Sequence, residues 1–266
     1  MEFIRDIWGG HDYIPQVWDD WIRDRKSPMF VVESDGRPVG MNRIRFLEDG
    51  TAWFEGARIH PGYRGAGLAT MLGENSLRVA ASNGVGVCRL TSNSRNRRAL
   101  RQVTRMGFRE LARLSIYSPR EGTRFRRQDG VRTALPEEAG MVVGLIQGSR
   151  EYRAGAGVMW DGFTAISLTP QVIRRRVDEG NVHLTDGAAA IEMPGSEGRE
   201  VWTQLCFLCG EPKGAVKVAE HIFSGKTAVD WRLAYLPQGS PLVGALRREG
   251  FSRSFSLILF ERKTKG

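Results

Sequence analysis

Six residues, Arg64-Gly65-Ala66-Gly67-Leu68-Ala69, join a guanidinium and two glycines to the start of an apolar run. Glycines lack a Cβ and reach left-handed backbone conformations, so they let main chain come close to a ligand. A helix that begins there presents bare N–H groups and the positive end of its dipole. The chemistry this suits is the binding of an anion, a diphosphate above all. Just upstream, Glu55 lies in TAWFEGARIHP, where alternation puts it on one face with the apolar Trp53 and Ala57. A carboxylate among apolar neighbours is a candidate general base, because an ammonium must lose a proton before it can attack. Pairing with one of the many arginines is the competing reading of Glu55. Asn96 precedes a helical stretch and reads as its cap. Asp12 and Tyr13 offer a carboxylate for an ammonium and a phenol that can stack or donate, although aromatic residues at helical spacing also read as core. Cys206-x-x-Cys209 has no second pair, and strand geometry would separate its two sulfurs, so two buried small residues are expected and no metal.

These residues need elements to hold them. Apolar spacing predicts a helix over 14–25 with Trp18, Trp21 and Ile22 on one stripe. Strands are expected over 29–33, 39–46 and 52–59, joined by turns at Asp35-Gly36 and Asp49-Gly50. A helix follows from Gly67 to Ser82 with Leu68, Met71, Leu72 and Val79 on a shared face, then a strand over 85–91, a helix over 96–105 stopped by Gly107, and a strand over 111–117. The second half repeats the order weakly: strand 131–134, helices 137–147 and 170–179, strands 182–185, 188–193 and 201–209, helix 215–223, strand 228–235, helix 241–248 and strand 255–261. The clearest echo is a helix followed by Gly-Phe, at Gly107-Phe108 and again at Gly250-Phe251.

Placed on this order, Arg64–Ala69 fits Arg/Gln-x-x-Gly-x-Gly/Ala between a strand and a helix, behind the lead-in Ile59-His60-Pro61. Asn96-x-x-Ala99 and Gly107-Phe108 follow at matching spacing. In these features the first 118 residues or so resemble the GNAT acyltransferase superfamily. The resemblance implies an α/β (α+β) GNAT fold, a mixed twisted sheet with helices on both faces. It implies acetyl-CoA as co-substrate, its pyrophosphate gripped by Arg64, Gly65, Ala66, Gly67, Leu68 and Ala69. Its pantetheine arm would slip between two splayed strands, where Ile59 and His60 lend main-chain groups and Asn96 hydrogen-bonds the arm. It further implies direct attack by a primary amine on the thioester, with Glu55 as base and the Ile59 N–H polarising the carbonyl. Many members carry a tyrosine seven residues after the asparagine; here that position is Val103, which leaves the general acid open. Gly9-Gly10-His11-Asp12-Tyr13-Ile14-Pro15 and Phe54–Ile59 are similar to the histidine N-acetyltransferase type, a group that includes the probable N-acetyltransferase 16 of vertebrates. That likeness implies an acceptor pocket with Asp12 and Tyr13 as substrate-binding residues, and a small amine or amino acid as acceptor.

The 266 residues are 41% hydrophobic and 26% charged, a globular profile with room for two domains. The expected division is a catalytic GNAT domain over 1–119, a basic linker over 120–132 and a degenerate GNAT-like domain over 131–266. The second half is expected to bind CoA poorly, because Cys209-Gly210-Glu211-Pro212-Lys213-Gly214-Ala215 stands where the glycine loop should be. It is expected to complete the first domain's sheet or to wall its acceptor pocket. The net charge of +9, mostly arginine, suits phosphate-bearing partners. No nucleic-acid motif accompanies the arginine runs, and Arg97, Arg98 and Arg101 lie where CoA phosphates would be met. No apolar run is long enough to span a membrane and the first residues do not form a signal peptide, so with three cysteines a reducing cytoplasmic setting is expected. The rival reading is a non-catalytic module on the same fold that senses acyl-CoA or contacts RNA or protein.

Overall fold

A computed structural model describes residues 12–197, 200–225 and 231–264. Gly9, Gly10 and His11 of the expected acceptor segment lie outside the described residues. The chain divides into two compact units: residues 1–109 with 260–266, and residues 110–259.

Unit 1 begins with α1 (Ile14–Arg23), followed by the strands β1 (Met29–Ser34), β2 (Arg37–Phe46) and β3 (Ala52–Ile59). These strands form an antiparallel meander, β1 on β2 and β2 on β3. A 3-10 turn at Pro61–Tyr63 leads into α2 (Leu68–Ser82), then β4 (Val87–Asn93) and α3 (Arg97–Arg105). The α1 stripe consists of Ile14, Val17, Trp18 and Trp21 around Met41 of β2. Ile22, expected on that stripe, is 56% exposed. It falls a residue outside the i, i+3, i+4, i+7 set that a narrow contact selects. The buried face of α2 is likewise rotated from the expected one, to Leu72, Gly73, Ser76, Leu77 and Ala80, with Met71 half exposed. Two demands turn it. Asn42 of β2 donates to the Leu72 carbonyl and to Ser76 Oγ, and Gly73 packs so closely on Met106 that a Cβ would stand 2.0 Å from its Cε.

Unit 2 takes up the chain at β5 (Arg109–Pro119) and β6 (Arg132–Thr133), followed by α4 (Ala139–Gly148) and α5 (Arg150–Ala154). A hairpin of β7 (Val158–Asp161) and β8 (Thr164–Ser167) precedes α6 (Pro170–Asp178). Then come β9 (Val182–Thr185), β10 (Ala188–Glu197), β11 (Glu200–Gly210), α7 (Pro212–Ser224), β12 (Trp231–Pro237), α8 (Leu242–Arg248) and β13 (Phe251–Lys263). Strand order across this unit is β13-β5-β12-β11-β10-β9-β6. Its core gathers α7 and α8 residues such as Val218, Ile222, Phe223 and Leu246 over Leu205, Leu236 and Phe251.

The unit boundaries differ from the domain boundaries read along the chain. β5 was expected to close the first domain at residue 119, yet from Glu110 it belongs to unit 2, where Ala234–Pro237 of β12 pair with Leu114–Tyr117. Conversely, the end of β13 belongs to unit 1. There Glu261 pairs with Arg89 of β4 at 3.0 Å, Arg262 donates to the Met106 carbonyl, and Thr264 N donates to the Gly86 carbonyl at 3.0 Å. The expected linker is itself docked in unit 2. Phe125 packs on Phe223 and Phe251, and Gln128 bonds to Glu220 and His221.

Both Gly-Phe pairs end their helices in the same way. Gly107 has φ +78 and Gly250 φ +86, and each donates to the third carbonyl back, of Thr104 and of Arg247. Phe108 N also reaches the Val103 carbonyl, completing a Schellman stop, and the two phenylalanines that follow are buried.

Candidate active site

The glycine loop is held open by its own turns. His60 Nδ1 accepts from Gly62 N at 3.1 Å, Tyr63 N donates to the His60 carbonyl, and Arg64 Nε donates to the Ile59 carbonyl at 3.3 Å. Gly65 at φ +94 and Gly67 at φ +79 adopt conformations that L side chains resist. Gly67 caps α2, whose first internal bond runs from Met71 N to the Gly67 carbonyl. The N–H groups of Leu68, Ala69 and Thr70 precede that bond and so have no helical acceptor. A Cβ at Gly65 or Gly67 would meet no protein atom within 4 Å, which is the room a phosphate needs.

Beside this loop two parallel strands part. β3 and β4 pair only at Ala52 with Cys88 and Trp53 with Arg89. Beyond these residues the β3 edge up to Ile59 is unpaired on that side. His60 N donates to the Val39 carbonyl at 2.8 Å, so Ile59, one residue earlier in an alternating ladder, turns its N–H away from β2 and into the gap. The two main-chain groups of His60 are both engaged within the protein, unlike the N–H of Ile59. Across the gap, Asn96 caps α3 with Oδ1 accepting from Ala99 N at 3.1 Å, which leaves its NH2 end outside the cap. Gln102 donates to Thr70 Oγ1 at 2.7 Å and ties α3 to the first turn of α2. Arg97, Arg98 and Arg101 are exposed and carry no acidic partner among the described residues. Val103 is the buried residue of α3.

The other end of β3 is lined with charge rather than apolar surface. Glu55 Oε1 holds Arg43 at 2.7 Å and Arg45 at 3.2 Å, while Oε2 has no hydrogen bond among the described residues. Arg43 also reaches Asp24 at 2.5 Å and lies over the Trp21 ring at 4.8 Å. The face expected to join Glu55, Trp53 and Ala57 does not form, because Gly56 (φ +65) makes a bulge that breaks the alternation. Met41 pairs with Arg58 and Arg43 with Glu55, so three steps on β3 oppose two on β2. Ala57 is consequently exposed.

Asp12 is not open to an ammonium as expected. Its carboxylate is clamped by Arg58 at 2.6 and 2.9 Å, and Oδ1 also accepts from Ile14 N at the head of α1. Tyr13 keeps 39% of its surface exposed, packs edge-on to Trp21 and lies 5.6 Å beneath the Arg58 guanidinium. Burial, and then the nearby Glu55 carboxylate, push its phenol up to about 12. It therefore remains a neutral donor throughout the neutral range. Glu55 and Ile59 thus share the strand β3, Tyr13 at the head of α1 lies within electrostatic reach of Glu55, and Asp12 acts through Arg58.

An open glycine loop thus stands beside a parted pair of parallel strands. Residues 2–108 match the sequence profile of the Acetyltransferase (GNAT) family. Over those residues the chain is similar to that family. The histidine N-acetyltransferase of Oreochromis niloticus is 32% identical over 94 residues, 34% of this chain and 28% of that protein. The human probable N-acetyltransferase 16 is 29% identical over 144 residues, 50% of this chain and 39% of that protein. The matches thus span less than half the length of these curated relatives. A solved GCN5-related N-acetyltransferase from Sphaerobacter thermophilus aligns with TM-score 0.62 at 12% identity over 95% of this chain and 86% of its own. A tandem GNAT protein from the clavulanic acid biosynthesis pathway aligns with TM-score 0.55 at 12% identity over 91% and 85%. At such identities the likeness is one of fold, and it runs through both halves of the chain.

The element order of unit 1 recurs in unit 2 without an open glycine loop. Gly210 (φ +109) packs so closely on the Asp186-Gly187 turn that a Cβ would stand 2.1 Å from the Gly187 carbonyl oxygen. Glu211 N already donates to that carbonyl, Pro212 has no N–H to give, and Glu211 brings a negative charge to the helix start. β11 and β12 are parallel over Trp202–Leu205 before they part. Cys206 and Cys209 are both fully buried in β11, where burial raises their thiols well above the usual range, Cys209 to about 12. Neither is poised as thiolate ligand or nucleophile.

Arg43, Arg58 and Gln102 were not read from the sequence, since one arginine among many carries no mark of its partner. The hairpin β7–β8 did carry a signal, Trp160-Asp161-Gly162-Phe163, in which Asp-Gly stands between apolar residues.

Proposed function

We propose that unit 1 transfers an acetyl or short acyl group from acetyl-CoA to the primary amine of a small molecule or amino acid. The observation that carries this reading is the open, N–H-lined loop from Arg64 to Ala69 at the head of α2, set beside the parted strands β3 and β4. Acetyl-CoA supplies the activated acyl group. Its pyrophosphate is bound by the N–H groups of Gly65 to Ala69 with Arg64 alongside, and Arg97, Arg98 and Arg101 add positive field. Main-chain groups at Ile59 and His60 and the NH2 of Asn96 hold the pantetheine amides. Of the His60 groups only the carbonyl can take a further bond, since its N–H is committed to Val39. The Ile59 N–H donates to the thioester oxygen, where negative charge develops. Glu55 takes the proton of the attacking amine on Oε2, while Arg43 and Arg45 fix the carboxylate through Oε1. Tyr13, neutral at physiological pH, donates to the acceptor, and Asp12 keeps Arg58 over the Tyr13 ring. The curated relatives named histidine N-acetyltransferase support an amino acid as acceptor.

The test is thiol release from acetyl-CoA with a panel of amino acids and polyamines. With the right acceptor, Glu55→Gln should lower kcat by about 10²–10⁴ and leave the KM for acetyl-CoA nearly unchanged. Equal turnover in Glu55→Gln would remove Glu55 as base. The second reading, a non-catalytic acyl-CoA sensor or an RNA- or protein-binding module, is favoured by Val103, an apolar residue where many members place a tyrosine. Tight acetyl-CoA binding with no amine turned over, or RNA binding with a steep salt dependence, would support it.

A further inference from the structure

Unit 2 contains a cavity of about 610 Å³, walled by the end of α4, the start of α5 and the Gly210-Glu211-Pro212 corner. That volume lies within the usual range of small-molecule sites, about 300–1,000 Å³. Gly144, Gly148 and Gly187 give much of the wall a bare main-chain surface. Glu151 also lines it and is only 2% exposed. Its Oε1 accepts from Ser240 Oγ at 2.9 Å. Among the described residues its Oε2 has no hydrogen bond and the carboxylate has no ion-pair partner, and Oε2 is not sealed off by protein. A carboxylate withdrawn from water in this way calls for a cation. Arg150, the neighbouring residue in the chain and also part of the wall, is exposed and has no acidic partner among the described residues.

We infer that this cavity binds a small zwitterion, an α-amino acid, with its ammonium on Glu151 and its carboxylate on Arg150. An ammonium supplies the missing counter-charge and can donate to the unused Oε2. A guanidinium fork matches a carboxylate in two parallel bonds. Glu211, a second carboxylate at the cavity, adds to the preference for a cationic group and opposes a diphosphate. The inference is independent of the acyl transfer proposed above, because no residue of this cavity belongs to unit 1.

Calorimetry on the full chain with each of the twenty amino acids tests it, using n-butylamine and butyrate as probes that carry one charge each. At least one amino acid should bind, and both single-charge probes should bind at least about tenfold more weakly. Glu151→Gln and Arg150→Ala should each weaken that amino acid about tenfold or more, whereas Glu55→Gln should leave its affinity unchanged. Gly148→Leu, whose new side chain starts in open space, should block binding, and this variant stands in if Glu151→Gln does not fold. Without ligand, Glu151→Gln should melt no lower than the parent protein, since it removes an unpaired charge. Failure of every amino acid to bind, or binding lost in Glu55→Gln and kept in Glu151→Gln, overturns the inference.

Discussion

At the scale of single residues, the site depends on what the main chain does at Gly65 and Gly67. Both hold positive φ, and neither has a neighbour that a Cβ would strike. Replacing Gly67 by valine should therefore have two separable effects. Left-handed strain should cost about 1–2 kcal/mol of stability, and the added methyl groups should hold the diphosphate off the N–H groups. We expect the affinity for acetyl-CoA, measured by calorimetry, to fall by about tenfold or more. Gly50 is the matched control, with φ +79 in an exposed turn and open space around it. Gly50→Val should show the stability loss and leave the affinity intact. If both variants lose affinity equally, strain rather than the phosphate contact is responsible. At this scale the charges on Glu55 and Asp12 also acquire their meaning. Each carboxylate is held by arginine, yet among the described residues Glu55 retains an unbonded oxygen and Asp12, bound through both oxygens, does not. That difference makes one a candidate base and the other a support for Arg58.

At the scale of elements, β3 is the strand on which the site is built. It begins with three consecutive buried residues, Ala52 to Phe54, and then bulges at Gly56. The Trp21 ring from α1 lies where a Gly56 side chain would be, with ring carbons 2.6 and 2.7 Å from a built Cβ. The bulge thus sets Glu55 against Arg43 and lets α1 close over the strand. Gly56→Ala should destabilise unit 1 by about 2–3 kcal/mol, combining overpacking with backbone strain. Urea denaturation should detect this, and Trp21→Leu in the same chain should recover part of the loss. No recovery in the double variant would mean that the backbone conformation, not the contact with Trp21, requires glycine. The caps act at the same scale. Asn96 starts α3 and Gly107 ends it, so the helix that carries Val103, Gln102 and the free arginines has defined limits at both ends.

At the scale of the whole molecule, unit 1 contains chain from both ends of the sequence, whereas unit 2 is one continuous segment. The last residues stabilise unit 1, where Glu261 meets Arg89, Arg262 meets the Met106 carbonyl and Thr264 bonds to Val85 and Gly86. Arg89 keeps only 10% of its side chain exposed and is held by Glu261 at 3.0 Å and by the buried Asp49 at 3.4 Å. Removing residues 261–266 should speed amide exchange in β4 by about tenfold or more, with Ala188–Ile191 of unit 2 unaffected. Unchanged exchange in β4 would show that the terminal strand adds little to unit 1.

Read without a structure, the chain already showed the regular elements of its first half and the glycine loop ahead of α2, but not the β7–β8 hairpin. Strand β3 was legible over its full length and the first-half helices to within two residues, because periodicity, turn residues and stop signals are local properties. The Gly-Phe stops were legible for the same reason, since a left-handed glycine after a helix leaves its own mark. The partners of the charges were not. Which arginine meets Glu55, how Asp12 is clamped, and how Gly56 turns the strand depend on contacts between residues far apart in sequence, and alternation alone misplaced Ala57. Nor does any local pattern tell β5 that its pairing partner is β12. Sequence by itself determined most elements, their order and the place of the glycine loop, because short-range sterics and hydrogen bonding act within a few residues. Only the tertiary structure decided which charges neutralise one another, which carboxylate is left unpaired and which unit each strand joins, because electrostatics and packing act across whatever distance the folded chain closes.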